Sequence, residues 1–214
     1  MSLSSKALQQ KRTKKAAKRK GAKKSGTASN TDLIAMGMIA ASSAPIADVF
    51  IPKGLFDTGI GTLWFSRKLD DGSYAMSSFL VDTYCLGVKN ALYAMMSPDK
   101  YKLELERYLA QSIEVFVTCD PAYLRKLVEL AIAYAGDLGF EPHPDYKIAK
   151  LIFGNVDASS CDAVFNFGRN GMPTYFQGPN ETPADVRRIL KQLEKKHKDP
   201  IAVLIQGLDD SVFI

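Results

Sequence analysis

The first 30 residues of the chain cannot contribute to a hydrophobic core, and this limits the folded domain to the residues that follow. Ten of the 30 are Lys or Arg and none is Asp or Glu. These cations are Lys6, Lys11, Arg12, Lys14, Lys15, Lys18, Arg19, Lys20, Lys23 and Lys24. A segment with a high net charge and few large apolar residues is typical of intrinsic disorder. We therefore predict a disordered basic arm at residues 1–30 and one globular domain at residues 31–214.

The predicted domain is acidic, although the chain as a whole is basic. Residues 31–214 contain 18 of the 28 basic residues and all 23 acidic residues, which gives a net charge of −5. A cationic arm attached to an acidic body indicates a polyanionic partner, and nucleic acid is the first candidate. The arm contains no Phe, Tyr or Trp. The predicted contacts are therefore with phosphates and not with stacked bases, so they carry no sequence specificity.

Size and cysteine content place the domain in an ordinary class. About 180 residues suit a single domain with its own core. The three cysteines, Cys85, Cys119 and Cys161, are odd in number and have no CxxC spacing, which argues against a disulfide framework or a zinc ribbon and favours the cytoplasm. The apolar stretch at residues 33–41 is shorter than the roughly 20 residues of a membrane span. We expect no membrane association and no cofactor.

Turn and capping signals predict an α+β fold with two β-hairpins and four to five helices. The first predicted hairpin joins residues 61–68 to residues 74–88 through Asp70-Asp71-Gly72-Ser73. The second joins residues 165–167 to residues 174–176 through Asn170-Gly171. Apolar residues at helical spacing, after capping residues and first-turn prolines, predict the helices. They fall at residues 33–41, after Pro98, after Pro121, at residues 144–154 and from Pro183 to about residue 196; further strands are predicted at residues 46–51, 113–117 and 201–205.

The last predicted helix carries a second basic surface. Its cations Arg187, Arg188, Lys191 and Lys195 follow one another at near-helical spacing, while Val186, Ile189, Leu190 and Leu193 form the apolar face. Two interpretations remain open. The cations would assist the arm in holding phosphates, or they would form the ordinary solvated face of an amphipathic helix.

Four acidic or histidine side chains are candidate catalytic groups. Asp82 interrupts the apolar segment SSFLVDTYCLGV, where a carboxylate would be a metal ligand for phosphodiester chemistry if other carboxylates converged on it. The alternative is that Asp82 lies on the open face of a sheet or caps a neighbouring element. Glu141, His143 and Asp145 lie in a proline-stiffened loop that would present an acid, a base or one metal ligand, or would only begin a helix.

Three segments carry a resemblance that extends over roughly residues 46–193: SSFLVDTYCLGVKNALYAMMSPDKY, LAIAYAGDLGFEPHPDYKIAKLIFGNVD and FNFGRNGMPTYFQGPNETPADVRRIL. They resemble an uncharacterised family of bacterial proteins of about 200 residues, often with Lys/Arg-rich N-termini. The resemblance implies a bacterial, cytoplasmic source. It implies no activity and identifies no site residue.

These observations lead to one leading hypothesis and two alternatives. The leading hypothesis is a non-enzymatic protein that associates with RNA or DNA through its arm, as part of a nucleoprotein assembly. The first alternative is a metal-dependent phosphodiester hydrolase that uses Asp82 and the loop with Glu141, His143 and Asp145. The second is a protein–protein interaction module whose acidic body binds the partner.

Overall fold

The computed structural model describes residues 30–111, 115–179 and 181–196, and the backbone of residues 202–205 and 212–213. Except for Asn30, the predicted basic arm lies outside the described residues. The chain divides into residues 1–33, of which only the start of one helix is described, and residues 34–214, which contain the fold. The predicted α+β class is confirmed, because helices pack on a separate antiparallel sheet.

A five-stranded antiparallel sheet is the centre of the fold, with the strand order β4-β3-β2-β1-β5. Its strands are β1 (Ile46–Pro52), β2 (Ile60–Lys68), β3 (Tyr74–Asp82), β4 (Gly87–Met96) and β5 (Phe116–Thr118). The first predicted hairpin is confirmed. Strands β2 and β3 pair without interruption from Ile60 opposite Asp82 to Lys68 opposite Tyr74. In the turn between them Asp71 Oδ1 accepts hydrogen bonds from the amide and the hydroxyl of Ser73.

The prediction of a single strand at residues 74–88 is wrong, because β3 ends at Asp82 and β4 begins at Gly87. The chain reverses after Asp82 and returns along β3 as β4. Gly87, at the start of β4, has a φ of 63°, and a Cβ there would lie 2.8 Å from Ala135 Cβ. The continuous apolar run hides the reversal because both strands are buried in the same core.

Six α-helices are described. They are α1 (Asn30–Ala41), α2 (Leu55–Thr58), α3 (Pro98–Gln111), α4 (Pro121–Asp137), α5 (Tyr146–Ala149) and α6 (Pro183–Lys196), with 3-10 turns at Lys150–Phe153 and Ala158–Ser160. The predicted helix at residues 144–154 is thus divided between α5 and a 3-10 turn. Helix α4 begins as its sequence predicts, since the Asp120 side chain accepts a hydrogen bond from the Ala122 amide and Pro121 occupies the first turn. Among the described helices, none has the length and apolarity needed to cross a bilayer.

The two faces of the sheet have different coverings. One face, with Phe65, Phe79 and Val88, packs in the main core with Leu124 and Leu127 of α4. The opposite face carries a smaller cluster of Trp64, Met76 and Tyr101, the last from α3. A third cluster joins α6 to the end of α4, through the residues Cys85, Leu86, Leu138, Tyr175, Ile189 and Leu193.

The second predicted hairpin is wrong in its strands, although its turn forms. Asn170 and Gly171 have φ values of 54° and 80°, and a single bridge joins Arg169 to Met172. Residues 165–167 do not form a strand. The segment packs through its side chains instead, with Phe165 stacked on Phe56 and Phe167 stacked on Tyr134. Residues Thr174–Gln177 form β6, which pairs in parallel with β7 (Ala202–Ile205), and β7 pairs antiparallel with β8 (Val212–Phe213).

Candidate functional site

Helix α6 presents the predicted basic surface on its exposed side. Its start is fixed by a reciprocal cap, in which the Asp185 amide donates to Thr182 Oγ1 and the Thr182 amide donates to Asp185 Oδ2. Val186, Ile189, Leu190 and Leu193 turn inward to the third core cluster. The opposite side is a shallow, open surface formed by side chains of α6 itself. Its lining residues are Arg187, Arg188, Lys191, Gln192, Glu194 and Lys195, so the structure brings together all four cations predicted from the sequence.

Most of these cations are not neutralised within the protein. Arg188 pairs with Asp185 at 3.3 Å between Nη2 and Oδ1. In the part of the chain that the structure describes, no ion pair holds Arg187, Lys191 or Lys195, and all three are exposed. An exposed pair such as Arg188 with Asp185 contributes little and is screened by salt, so Arg188 is also accessible to an anionic ligand. The α6 surface therefore presents four cations to solvent.

A groove continues from the α6 surface toward the sheet. It has a volume of about 600 Å³ and shares Arg188 and Gln192 with that surface. Its other polar walls are Lys89 of β4 and the loop residues Glu141 and His143. The loop is held against the sheet edge because the His143 amide donates to the Val88 carbonyl at 2.9 Å. We call the α6 surface and this groove together the α6 cleft.

Lys89, which lines the α6 cleft, forms an ion pair with Glu181 that the sequence analysis did not identify. Lys89 Nζ lies 2.8 Å from Glu181 Oε1, and both side chains are largely buried. Glu181 Oε2 also accepts hydrogen bonds from the Tyr175 hydroxyl and from the Gly178 amide. Burial opposes ionisation of Glu181, but the hydrogen bonds from Lys89, Tyr175 and Gly178 outweigh it and hold the pKa of this carboxyl below its ordinary value. No local sequence pattern links Lys89 to Glu181.

Asp82 caps a turn, as one of the two structural interpretations predicted. Its side chain is 1% exposed at the end of β3. Oδ1 accepts hydrogen bonds from the amides of Tyr84 and Cys85, at 2.8 and 2.9 Å. Oδ2 is buried and has no hydrogen-bond partner among the described residues. Burial raises the pKa of Asp82 to about 6.

The four candidate catalytic residues do not form one group. Glu141 and His143 line the α6 cleft, whereas Asp82 and Asp145 are absent from its described walls. His143 Nδ1 lies 3.7 Å from Asp145 Oδ2 and accepts a hydrogen bond from the Asp145 amide, so this pair orders its own loop. Across the described residues, no three His, Cys, Asp or Glu side chains converge as a metal site requires. The residues proposed for a metal-dependent hydrolase therefore lack the geometry of a metal centre.

Comparison of the chain with protein-family models, with curated proteins and with solved structures finds no match. The resemblance to an uncharacterised bacterial family stays a prediction. The geometry and charge of the α6 cleft and the composition of the arm are therefore the features of this chain that bear on function.

Proposed function

We propose that this protein is a non-enzymatic nucleic-acid-binding protein that holds the phosphates of RNA or DNA in the α6 cleft and with its basic arm. The observation that carries the proposal is the set of four exposed cations on one face of α6, three of which have no ion-pair partner among the described residues. The binding energy of these cations comes from released counterions and is independent of base sequence.

The arm supplies most of the affinity in this proposal. Its ten cations form a one-signed segment next to an acidic body, so any attraction to a polyanion is concentrated there and on α6. If about eight arm cations contact phosphates, the logarithm of the binding constant falls with the logarithm of salt concentration with a slope near −7. Non-specific affinities of this kind are on the order of 10⁻⁴ to 10⁻⁶ M at physiological salt.

The test compares three charge-neutralised full-length variants in a salt series. Fluorescence anisotropy measures binding to mixed-sequence RNA and DNA oligonucleotides. The helix variant is Arg187→Gln, Lys191→Gln, Lys195→Gln, and the arm variant is Lys18→Gln, Arg19→Gln, Lys20→Gln. The control removes three exposed cations elsewhere on the body, by Lys53→Gln, Lys68→Gln and Lys102→Gln.

The helix and arm variants should each lose about tenfold or more in affinity, and the magnitude of the salt slope should fall by about 0.9 for each phosphate contact removed. The control variant should bind as the wild-type chain does. If the control loses as much affinity as the helix variant, only net charge matters and the α6 cleft has no specific role. Absence of binding by the wild-type chain at low salt would refute the proposal.

A further inference from the structure

Strand β4 is an edge of the sheet, and its second half lacks the features that normally protect an edge. In residues 90–96, NALYAMM, there is no charged residue and no proline. The bulge in this strand falls earlier, at Lys89, where the pairing with β3 shifts register. The opposite edge, β5, is only three residues long. Natural sheets block edge pairing with charges, prolines, bulges or short strands, so the second half of β4 is an unguarded edge and β5 is not.

The hydrogen-bonding groups of this edge are oriented outward at alternate residues. The Ala91 amide bonds to the side-chain oxygen of its neighbour Asn90 and not to β3. Since the two edges of a strand alternate in an antiparallel ladder, the amides and carbonyls of Tyr93 and Met95 also point away from β3. Among the described residues, no backbone group outside β3 pairs with residues 91–96. A strand that docks here could therefore form hydrogen bonds with three alternate residues, Ala91, Tyr93 and Met95.

The side chains along the edge are apolar and partly exposed. Leu92 is 59% exposed on the sheet face that carries Trp64. Leu92, Ala94 and Met96 border a groove of about 620 Å³ between the sheet and α3. An apolar strip beside unpaired backbone groups is the arrangement that favours addition of another strand.

The geometry points to a second copy of this chain as the occupant, and we propose that β4 pairs antiparallel with β4 of a twofold-related copy, with Tyr93 opposite Tyr93 on the axis. This register places the outward residues Ala91 and Met95 opposite each other, so about six hydrogen bonds form across the axis when each Ala91 amide exchanges the Asn90 side chain for the partner strand. Leu92 lies opposite Ala94, a large side chain against a small one, and no two like charges are opposed. Twofold dimers are the commonest oligomers because one self-complementary surface suffices.

The assembly would join two five-stranded sheets into one continuous sheet. A twofold axis perpendicular to the sheet leaves the Trp64 faces of both copies on the same side, so the two grooves beside Leu92 meet at the axis. Each dimer would also carry two basic arms, which would increase avidity for a long polyanion without any new contact. The dimer itself rests only on β4 and not on nucleic-acid binding.

The mass of the full chain is the first measurement. Sedimentation equilibrium is done on nuclease-treated protein from about 1 to 100 µM in about 0.5 M salt, where phosphate contacts are released and nucleic acid cannot bridge two copies. The expected mass is twice the 23.5 kDa of one chain. A monomer over the whole concentration range would overturn the proposal.

Charge variants at Leu92 then identify the interface. Leu92 and its symmetry mate are diagonal neighbours in this register, about 7–8 Å apart at most, so Leu92→Lys opposes two cations and Leu92→Glu opposes two anions. Each variant alone should dissociate at least tenfold more readily than the wild type, and an equimolar mixture of the two should recover a mixed dimer. Leu130→Lys, at another exposed leucine, on α4, is the matched control and should dimerise as the wild type does. A dimer that neither Leu92 variant weakens, or that the mixture fails to restore, would place the interface elsewhere and refute the β4 register.

Discussion

Lys89 of β4 and Glu181, just before α6, form an ion pair whose Nζ–Oε1 distance is 2.8 Å. The pair joins the sheet to the segment that positions the basic helix, and Glu181 also fixes Tyr175 and the Gly178 amide. The charge of Lys89 is therefore neutralised by Glu181, although the Lys89 side chain lines the α6 cleft. The cleft presents its free cations from α6 and not from the sheet.

Removal of one partner should destabilise the junction between the sheet and α6. We expect Lys89→Met to lower the free energy of unfolding by about 1–3 kcal/mol, because it leaves the largely buried Glu181 without its cation. The variant Lys89→Met with Glu181→Gln removes both charges and should recover part of the loss.

Because the pKa of Glu181 is depressed in the folded chain, its contribution to stability is present above the ordinary value of 4.5 and is lost as the pH falls below it. Urea unfolding at pH 7 and pH 3.5 measures both effects. Equal losses for the single and double variants would mean that the pair is not coupled.

Asp82 should make the folded chain sensitive to pH in the opposite direction. The folded pKa of about 6 lies above the ordinary value of 3.8, so the folded chain keeps a proton that the unfolded chain has released. The contribution of Asp82 is therefore fully present below pH 3.8 and is lost as the pH rises to about 6. Asp82→Asn keeps an acceptor for the amides of Tyr84 and Cys85 but cannot ionise. Its stability relative to the wild type should improve by on the order of 2–3 kcal/mol between pH 4 and pH 7.

Urea unfolding of both chains at several pH values measures this change. Asp71→Asn is the control, because Asp71 is exposed and hydrogen bonds from Ser73 hold its pKa below the ordinary value. Its contribution should have the opposite sign, present above pH 3.8 and lost below it. Parallel pH profiles for the wild type and Asp82→Asn would show that the buried carboxylate is not the titrating group.

Local signals in the sequence predicted where helices and turns form better than they predicted which strands pair with each other. Asp120 caps α4 and Thr182 caps α6, as capping signals in the sequence indicate, because a cap depends only on residues within one turn. The turn at Asn170-Gly171 forms for the same reason. Strand β6, which follows this turn, pairs with β7 and not with residues 165–167. That pairing depends on residues 202–205, which are distant in the sequence.

The candidate site shows the same limit. The cations of α6 share one face because helix periodicity dictates it, and the sequence was sufficient to group them. The approach of Glu141 and His143 to Arg188 depends on how the loop after α4 packs beside α6, which no spacing in the sequence reveals. Asp82 looked unusual because an apolar strand surrounds it, yet its role depends on the chain reversal that follows.

Gly87 should tolerate no side chain, whereas another glycine with positive φ should tolerate one. A Cβ on Gly87 would lie 2.8 Å from Ala135 Cβ and 2.9 Å from the Ala131 carbonyl oxygen of α4. Gly87→Ala combines this overlap with the left-handed backbone strain, so we expect a loss of about 3 kcal/mol. Gly72 has a φ of 83° with no heavy atom within 4 Å of an added Cβ, and Gly72→Ala should cost only about 1 kcal/mol. Thermal or urea unfolding measures the two variants, and equal losses would refute the predicted contact with α4.

Arg67 should be irreplaceable by lysine, because its guanidinium satisfies carbonyls in separate segments. The residue is 2% exposed, its Nε and Nη2 donate to the carbonyls of Ile152 and Phe153 at 2.6 and 2.8 Å, and its Nη1 donates to the carbonyl of Ala44. A lysine ammonium is a compact point donor that cannot reproduce this planar fork, so buried carbonyls would lose partners. We expect Arg67→Lys to lower the free energy of unfolding by about 2–4 kcal/mol. Arg107→Lys is the control, because it makes the same substitution at an exposed arginine that pairs with Glu104. It should lower the free energy of unfolding by less than about 0.5 kcal/mol. Urea unfolding distinguishes the two, and an Arg67→Lys chain as stable as the Arg107→Lys chain would show that this buried fork does not anchor the 3-10 turn.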